Sequence, residues 1–431
     1  MQLVEQHVIS RTDSRFAAID AAAFQSKNLY NAALYEIRQA FIHHGTYLNY
    51  GETDRRMQSH EAYKALPAKV SQQVLKQLDD AWTSFFEALE AYKEDPSKFT
   101  GRPKLPKYKD KTKGRNLLVY TLQALRGGRS KRGVRGLIRP SGLPIEVTTR
   151  QQHIDQVRIV PRNGFYVLEV VYSCEPPKSA VDPAYYAGID IGMDNLVALT
   201  SNQLGYVPVL INGRPMKSTN QYYNKRKAEL QSKLGHTGTT KRMERMTNKR
   251  NRRIDHYMHT ASRWIIDDLV AHGIGTLVIG KNDGWKQEAN MGKRNNQHFV
   301  PIPHARFISI LSYKAELVGI RVMLTEESYT SKASFLDRDE MPVYNPEQTA
   351  KPTFSGKRVK RGLYRAKDGT LINADCNGSL NIIRKVAPDA FQQVEGVEDG
   401  KGHKPVVHPV RIVVAPLTKP KREILACNKT R

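Results

Sequence analysis

Three short stretches, far apart in the chain, place carboxylates where apolar strands end: Gly188-Ile189-Asp190-Ile191-Gly192, Leu324-Thr325-Glu326-Glu327-Ser328 and Ala374-Asp375-Cys376-Asn377. Acids brought together from separate parts of a sheet can share a pair of divalent cations, which then bind both the attacking and the leaving oxygen of a phosphodiester. An ionised carboxylate in an apolar strand such as Ile189-Asp190-Ile191 is costly unless paired or metal-bound. Asp375 precedes Asn377-Gly378 and a helix, so helix capping competes with metal binding there. Glu326 and Glu327 are adjacent on an extended segment and point to opposite faces, so at most one reaches the ions. Asp194 sits in the turn after the first stretch and suits a turn-capping role. Asn377 either supports the site or shapes the turn.

Such a site needs a sheet to carry it. Tyr186–Ile191, Leu196–Thr200 and Tyr206–Ile211 read as a meander of three strands, with Met193-Asp194-Asn195 and 201–205 as turns. A long basic helical region follows, roughly Thr219–Val270, with a break at 235–238. Its later half carries an apolar face of Ile254, Tyr257, Ala261, Trp264, Ile265 and Leu269. A fourth strand at Thr276–Ile279, a helix at Val300–Leu317, a fifth strand at Ile320–Thr325 and a closing helix from Leu380 complete the order. Three antiparallel strands, then helix, strand, helix and strand, make a ribonuclease-H-like α/β layer.

Ahead of this layer the chain is mixed. Phe24–Phe41 and Pro67–Tyr92 are predicted helices. In the second, Val70, Val74, Leu78, Trp82, Phe85 and Leu89 form one stripe, the pattern of helix-to-helix core. Val157 and Ile159 lead into a hairpin through the turn Pro161-Arg162-Asn163-Gly164, and the return strand is Phe165–Tyr172. Pro176-Pro177 reads as a linker. After Pro388, Gly and Pro recur through a tail that ends basic, and which is expected to be irregular or to order on RNA.

The 431-residue chain has a formal charge of +26 and a sequence pI of about 9.8. A surplus of that size implies a polyanionic partner, most simply nucleic acid. No apolar run approaches the ~18 residues of a spanning helix, so no membrane partner is expected, and the start lacks the pattern of a signal peptide. Cys174, Cys376 and Cys427 are too few and too scattered for a disulfide framework or a Cys-based zinc site, which suits a cytoplasmic protein.

The positive charge is concentrated. Lys98–Arg115 holds eight Lys/Arg against one acid, Asp110; Arg126–Arg139 holds six with none; Lys241–Arg253 holds seven against one. The first two runs, interleaved with Phe99, Tyr108 and Tyr120, suit a surface that tracks phosphates and stacks bases. The predicted nucleic-acid contacts are Lys104, Lys107, Tyr108, Lys109, Arg126, Arg132, Arg242, Arg245, Arg250 and Arg253. Trp285, in the polar loop Lys281-Asn282-Asp283-Gly284-Trp285-Lys286, either stacks on a base or plugs the core. His256 with His259, and His298 with His304, lack a third ligand at metal-binding spacing.

The stretch Gly188-Ile189-Asp190-Ile191-Gly192-Met193-Asp194-Asn195-Leu196 resembles RuvC motif I of TnpB, the transposon-encoded RNA-guided nuclease. Residues 372–382 (INADCNGSLNI) resemble motif III. Between them, 278–300 and 326–335 resemble a TnpB subgroup, and the similarity spans nearly the whole chain. The resemblance implies an α/β and α+β multidomain fold. Its first domain, residues 1–177, would be a wedge-like β-barrel with an inserted helical recognition lobe at about 20–95. A RuvC-like nuclease domain at 178–388 would carry a helical insertion (about 219–270) and a degenerate zinc-ribbon region (about 330–370). An irregular basic tail, 389–431, would follow. Also implied are a guide RNA from the protein's own element, double-stranded target DNA beside a short adjacent motif, a prokaryotic nucleoid-associated setting, and cleavage with two Mg²⁺ ions.

Two departures from the family pattern matter. Most TnpB proteins place their middle catalytic Glu after the fourth strand, where this chain reads Val278-Ile279-Gly280-Lys281. Related proteins, Fanzor included, resemble this pattern and take the glutamate from the next strand. The resemblance therefore assigns metal binding to Asp190, Glu327 and Asp375, with Glu326 the second candidate. The usual paired Cys-x-x-Cys motifs are replaced by Ala333, Ser355 and Gly356, so no structural zinc is expected. Two rival readings remain, a nuclease-inactive RNA-guided DNA-binding regulator and a guide-free resolvase.

Overall fold

The computed structural model describes residues 1–126, 136–176, 180–235, 238–282, 301–344, 352–391 and 408–414. The chain divides into two compact units, Met1–Glu175 and Pro176–Arg431.

The first unit runs β1 (Gln2–Ser10), α1 (Phe16–His44), α2 (Tyr50–Met57), α3 (Glu61–Lys64), α4 (Ala68–Glu94), β2 (Leu118–Thr121), β3 (Leu125–Arg126), β4 (Leu137–Pro140), β5 (Val147–Thr148), β6 (Gln156–Arg162) and β7 (Phe165–Ser173). One sheet has the order β1-β7-β6-β2 and a smaller one β3-β4-β5. The predicted hairpin is β6–β7, antiparallel from Arg162↔Phe165 outward. Gly164 takes the left-handed conformation at φ 83° that its turn needs. Helix α1 starts eight residues earlier than the apolar spacing suggested, because the alanine-rich segment before Phe24 is itself strongly helix-forming. The α4 stripe is core: Val70, Val74, Leu78 and Trp82 are fully buried. Trp82 packs against Phe41, Tyr47, Phe85 and Phe86.

The second unit opens with the expected meander, β8 (Asp182–Ile191), β9 (Asn195–Ser201) and β10 (Val209–Asn212). Two long helices follow, α5 (Arg214–Leu234) and α6 (Lys241–Ala271); Gly235, at φ 64°, ends the first. Then come β11 (Ile274–Gly280), α7 (His304–Glu316), β12 (Arg321–Thr325), β13 (Lys357–Lys360), β14 (Leu363–Arg365), β15 (Leu371–Asn373), α8 (Ala374–Val386) and β16 (Val410–Ile412). Helix α7 starts at His304 rather than Val300, since Pro301 and Pro303 disfavour helical backbone in the residues before them.

The main sheet has the order β12-β11-β8-β9-β10-β16. Strands β8, β9 and β10 are antiparallel, while β11 joins β8, and β12 joins β11, in parallel. The alternation of strand side chains sorts the two faces. Ala187, Ile189 and Ile191 enter a core with Ile254, Tyr257 and Ile265 of α6 and Phe307 and Leu311 of α7. Gly188 faces α8, where a Cβ would meet Ser379 O at 2.4 Å and Ile383 Cγ1 at 2.7 Å, so only glycine lets the helix lie this close.

One further expectation is corrected. The tail after Pro388 is not irregular throughout: β16 pairs in parallel with β10, and Val414 is buried in the main core. The β-branched run Val-Arg-Ile-Val-Val carries this pairing; the Gly and Pro around it concealed it. The region of Ala333 and Ser355 forms a small sheet, β13-β14-β15, over a cluster of Phe335, Tyr364, Ile372, Ala374 and Leu380. Asp339 ties the two parts of this region together. Its Oδ2 accepts from Ser334 N (2.8 Å) and Ser355 N (3.1 Å), and its Oδ1 from Ser355 Oγ (2.6 Å). Replacing Asp339 by Ala is expected to destabilise this region by about 1–3 kcal/mol, read as faster amide exchange at residues 334 and 355.

Candidate active site

Asp190 lies on the Gly188 face of β8, toward α8: a Cβ on Gly378 would come within 2.8 Å of Asp190 Oδ2. Helix α8 is capped by Asn373, whose Oδ1 accepts from Asp375 N (3.0 Å) and Cys376 N (3.1 Å). Capping by Asn373 leaves the Asp375 carboxylate free for the cleft. Asp190 and Asp375 line the same open cleft of ≈ 720 Å³ with Asp194, Asn195, Ala198, Arg214, Arg358, Arg361 and Arg411.

Glu327 comes from the turn after β12, where Tyr329 adopts left-handed backbone (φ 64°) and Thr330 N and Oγ1 both donate to Glu327 O. Asn282 grips Glu327 twice, accepting from its backbone N at 2.9 Å and donating to Oε2 at 3.4 Å. The volume over Gly280 is filled by this glutamate, since a Cβ there would sit 2.3 Å from Glu327 Oε1. The position that lacks an acid is therefore the one that makes room for the acid of the next strand. Glu326 turns away and pairs with Lys385, while its Oε2 accepts from Ser328 N (2.7 Å).

The electrostatics tie the three acids together. Burial, then the negative charges of Glu327 and Asp375, push the Asp190 carboxyl up to about 8. Burial lifts Glu327 to about 7, and its Oε1 is buried without a hydrogen-bond partner. Asp375 Oδ2 accepts from Asn195 Nδ2 at 2.7 Å, and Arg358 lies 3.7 Å from its Oδ1. Asp194 is paired with Lys217 (2.9 Å) and with Arg361. Among the described residues no three His, Cys, Asp or Glu side chains close into a ready-made metal cage. The donors are nonetheless those of a hard divalent cation: all oxygen, mutually repelling, with one buried oxygen unpartnered.

The remaining predicted contacts divide. Lys104, Lys107, Tyr108, Arg242, Arg245 and Arg253 are exposed. Lys109 is half-buried over the Tyr30 ring at 4.6 Å, and Asn31 holds its backbone N and O. Arg250 does not face solvent as expected. It donates to Asn220 Oδ1 (2.7 Å), Asn251 Oδ1 (2.9 Å) and Pro301 O (2.6 Å), holding α6 to α5 and to the start of α7. Arg132, Trp285, His298 and the side chain of Arg126 lie outside the described residues. Asn377 is buried, bonded to Ala333 O and Phe335 N, and so braces the neighbouring loop rather than the cleft. His259 has its pKa lowered, first by burial. Sequence reasoning missed the cleft arginines, although the dense segment Gly356-Lys357-Arg358-Val359-Lys360-Arg361 was a visible signal. It also missed the part of Asn195, which lies within the first motif, and of Asn282, which carries no signal.

Residues 169–286 match the family model OrfB_IS605, described as a probable transposase, and 304–382 match the Cas12f1-like TNB domain. The chain is similar to "TnpB-like protein ORF457" of Acidianus two-tailed virus, 24% identical over 425 residues, covering 86% of this chain and 83% of the relative. Its fold resembles that in "Cryo-EM structure of the Cas12f1-sgRNA-target DNA complex", with a TM-score of 0.50 at 14% identity over 85% of this chain and 81% of that one. That likeness shows a mixed α/β multidomain fold of the Cas12f1 kind, and the two family matches and the viral relative show a chain similar to the TnpB-like proteins.

Proposed function

We propose that this chain is an RNA-guided endonuclease that cuts double-stranded DNA by metal-dependent phosphodiester hydrolysis, with the second unit as a RuvC-like nuclease. In this reading the first unit supplies the wedge barrel and the recognition lobe. The observation that carries the proposal is the cleft itself: Asp190 and Asp375, 185 residues apart in sequence, line one cavity with four arginines, and Asp190 feels the charge of Glu327. Acid and arginine side by side suit a phosphate that must be held and attacked together.

Asp190, Glu327 and Asp375 would hold two Mg²⁺ ions, which when bound polarise the phosphate and lower the pKa of the attacking water. The chain's own residues do the rest. Asn195 and Asn282 fix the orientation of Asp375 and Glu327. Arg214, Arg358 and Arg361 present guanidiniums to the scissile phosphate from the cleft wall. Water adds to phosphorus as the bridging P–O bond breaks, and the leaving oxygen takes a proton.

The partners in this reading are a guide RNA and target DNA, the two classes of nucleic acid that the similar Cas12f1 complex holds. No described helix is long and apolar enough to cross a membrane. The exposed Lys104, Lys107, Arg242, Arg245 and Arg253 would grip nucleic-acid backbones. RNA affinity is expected to fall about 10³-fold or more between roughly 50 and 200 mM salt, measured by filter binding; a flat response would remove these residues from the RNA surface.

Sequencing the RNA that co-purifies with the protein tests the guided reading. One discrete species with a variable end supports it, and absence of bound RNA favours a guide-free resolvase. The nuclease-inactive regulator draws on the missing acid at Gly280, yet Glu327 occupies that space.

A further inference from the structure

The C-terminal strand reaches the cleft by register. On the cleft face, Asp190 pairs with Ala198, Ala198 with Leu210, and Leu210 with Arg411. One cross-strand row therefore runs from the acid on β8 to the arginine on β16, about 14 Å at the usual strand spacing. Ala198 and Leu210, the middle of the row, are buried against Cys376 of α8, and Ala198 also lines the cleft. Strand β16 is anchored on both sides of Arg411: Val410 N donates to Pro208 O at 2.8 Å, and Ile412 and Val414 pack into the main core.

Arg411 Nη2 donates to Asn195 Oδ1 at 3.3 Å, and Asn195 Nδ2 donates to Asp375 Oδ2 at 2.7 Å. The Asp375 carboxylate only accepts, so it takes the NH₂ end of the Asn195 carboxamide and leaves the oxygen end to be held by a donor. A guanidinium can only donate, so Arg411 holds that oxygen end and fixes the amide from the side opposite Asp375. We propose that Arg411 is a positioning residue of the nuclease site, and that the site is incomplete until the C-terminal strand docks on β10. This rests on the nuclease reading above and adds to it a part for the chain's C-terminal strand.

The test uses the full-length protein with its co-purified RNA. Arg411→Ala should raise the Mg²⁺ concentration for half-maximal cleavage by about 10–100-fold, the usual effect of removing a residue that orients a metal ligand. RNA binding should be unchanged. Arg411→Lys, which keeps a donor, should recover most of the loss. Calorimetric titration with Ca²⁺ should show the same weakening in Arg411→Ala without any cleavage step. Amide exchange at residues 209–211 should match wild type, showing that the strand remains docked. Wild-type metal response in Arg411→Ala would overturn the proposal. So would a loss of activity accompanied by loss of protection at 209–211, which would make the strand's part structural, or Arg411→Lys behaving like Arg411→Ala. Failure of the nuclease reading shows separately, as wild-type protein that never cleaves; the Ca²⁺ titration still decides the role of Arg411.

Discussion

Glu327→Gln is expected to reduce Mg²⁺-dependent cleavage on the order of 10³-fold, the scale on which a single charge-stabilising group acts at a transition state, whereas Glu326→Gln should cost less than about tenfold. The two residues are neighbours with the same side chain, so composition and local propensity cannot separate them. Geometry does. Glu327 is half-buried, gripped by Asn282, and has a buried, unpartnered Oε1 beside Asp190. Glu326 already has a partner in Lys385. The glutamine keeps the shape of each side chain and most of its hydrogen bonds, so loss in one variant alone reads out charge. Single-turnover cleavage of a matched DNA is the measurement. Equal loss in both variants, or loss confined to Glu326→Gln, would contradict the assignment of the middle acid.

The second large effect couples the site to stability. Asp190 and Glu327 titrate near 8 and 7 in the folded chain, against about 4 for free carboxylates. Below pH ~4 both states are protonated and the site costs nothing. Between about pH 4 and 8 the unfolded chain ionises first, the folded chain binds more protons, and stability falls as pH rises. Metal-free protein should therefore melt higher at pH 6 than at pH 8, with Asp190 and Glu327 contributing to the difference. Mg²⁺ should raise Tm more at pH 8 than at pH 6, because it binds only the ionised acids. Asp190→Asn removes the largest of these costs, so it should abolish cleavage while raising the metal-free Tm at pH 8 by roughly 5 °C. Differential scanning calorimetry at the two pH values, with and without Mg²⁺, gives all four numbers. A lower Tm for Asp190→Asn at pH 8 would mean that its carboxylate is stabilised by partners rather than repelled.

The sequence carried the outline of this site because the outline rests on strong periodic signals. Apolar strands ending in acids singled out Asp190, Asp375 and the pair Glu326 and Glu327; the family resemblance chose Glu327 of the pair, and the period-two alternation of a strand implied that the two glutamates diverge, as they do. The break between α5 and α6 was visible at Gly235. What stayed hidden depends on contacts between distant residues. Whether Asp375 or Asn373 caps α8 is decided by two residues of offset, and both types are good caps. Arg250 sits in a run of exposed cations, and only the approach of Asn220 and Pro301 shows it to be an internal brace. The β16 strand is a short run within a Gly- and Pro-rich tail, too brief to declare itself before its pairing with β10 is seen. Asn195 and Asn282 have no periodic signature, because their role is defined entirely by the acids they orient.

The most direct measurement of the central claim is cleavage of a plasmid carrying a match to the co-purified RNA, compared for wild type and Asp190→Asn, each with Mg²⁺ and with EDTA. Wild-type protein should cut the matched plasmid in Mg²⁺ alone, while Asp190→Asn retains RNA and leaves the plasmid intact. Cutting by Asp190→Asn at the wild-type rate, or wild-type cutting that persists in EDTA, would contradict the account.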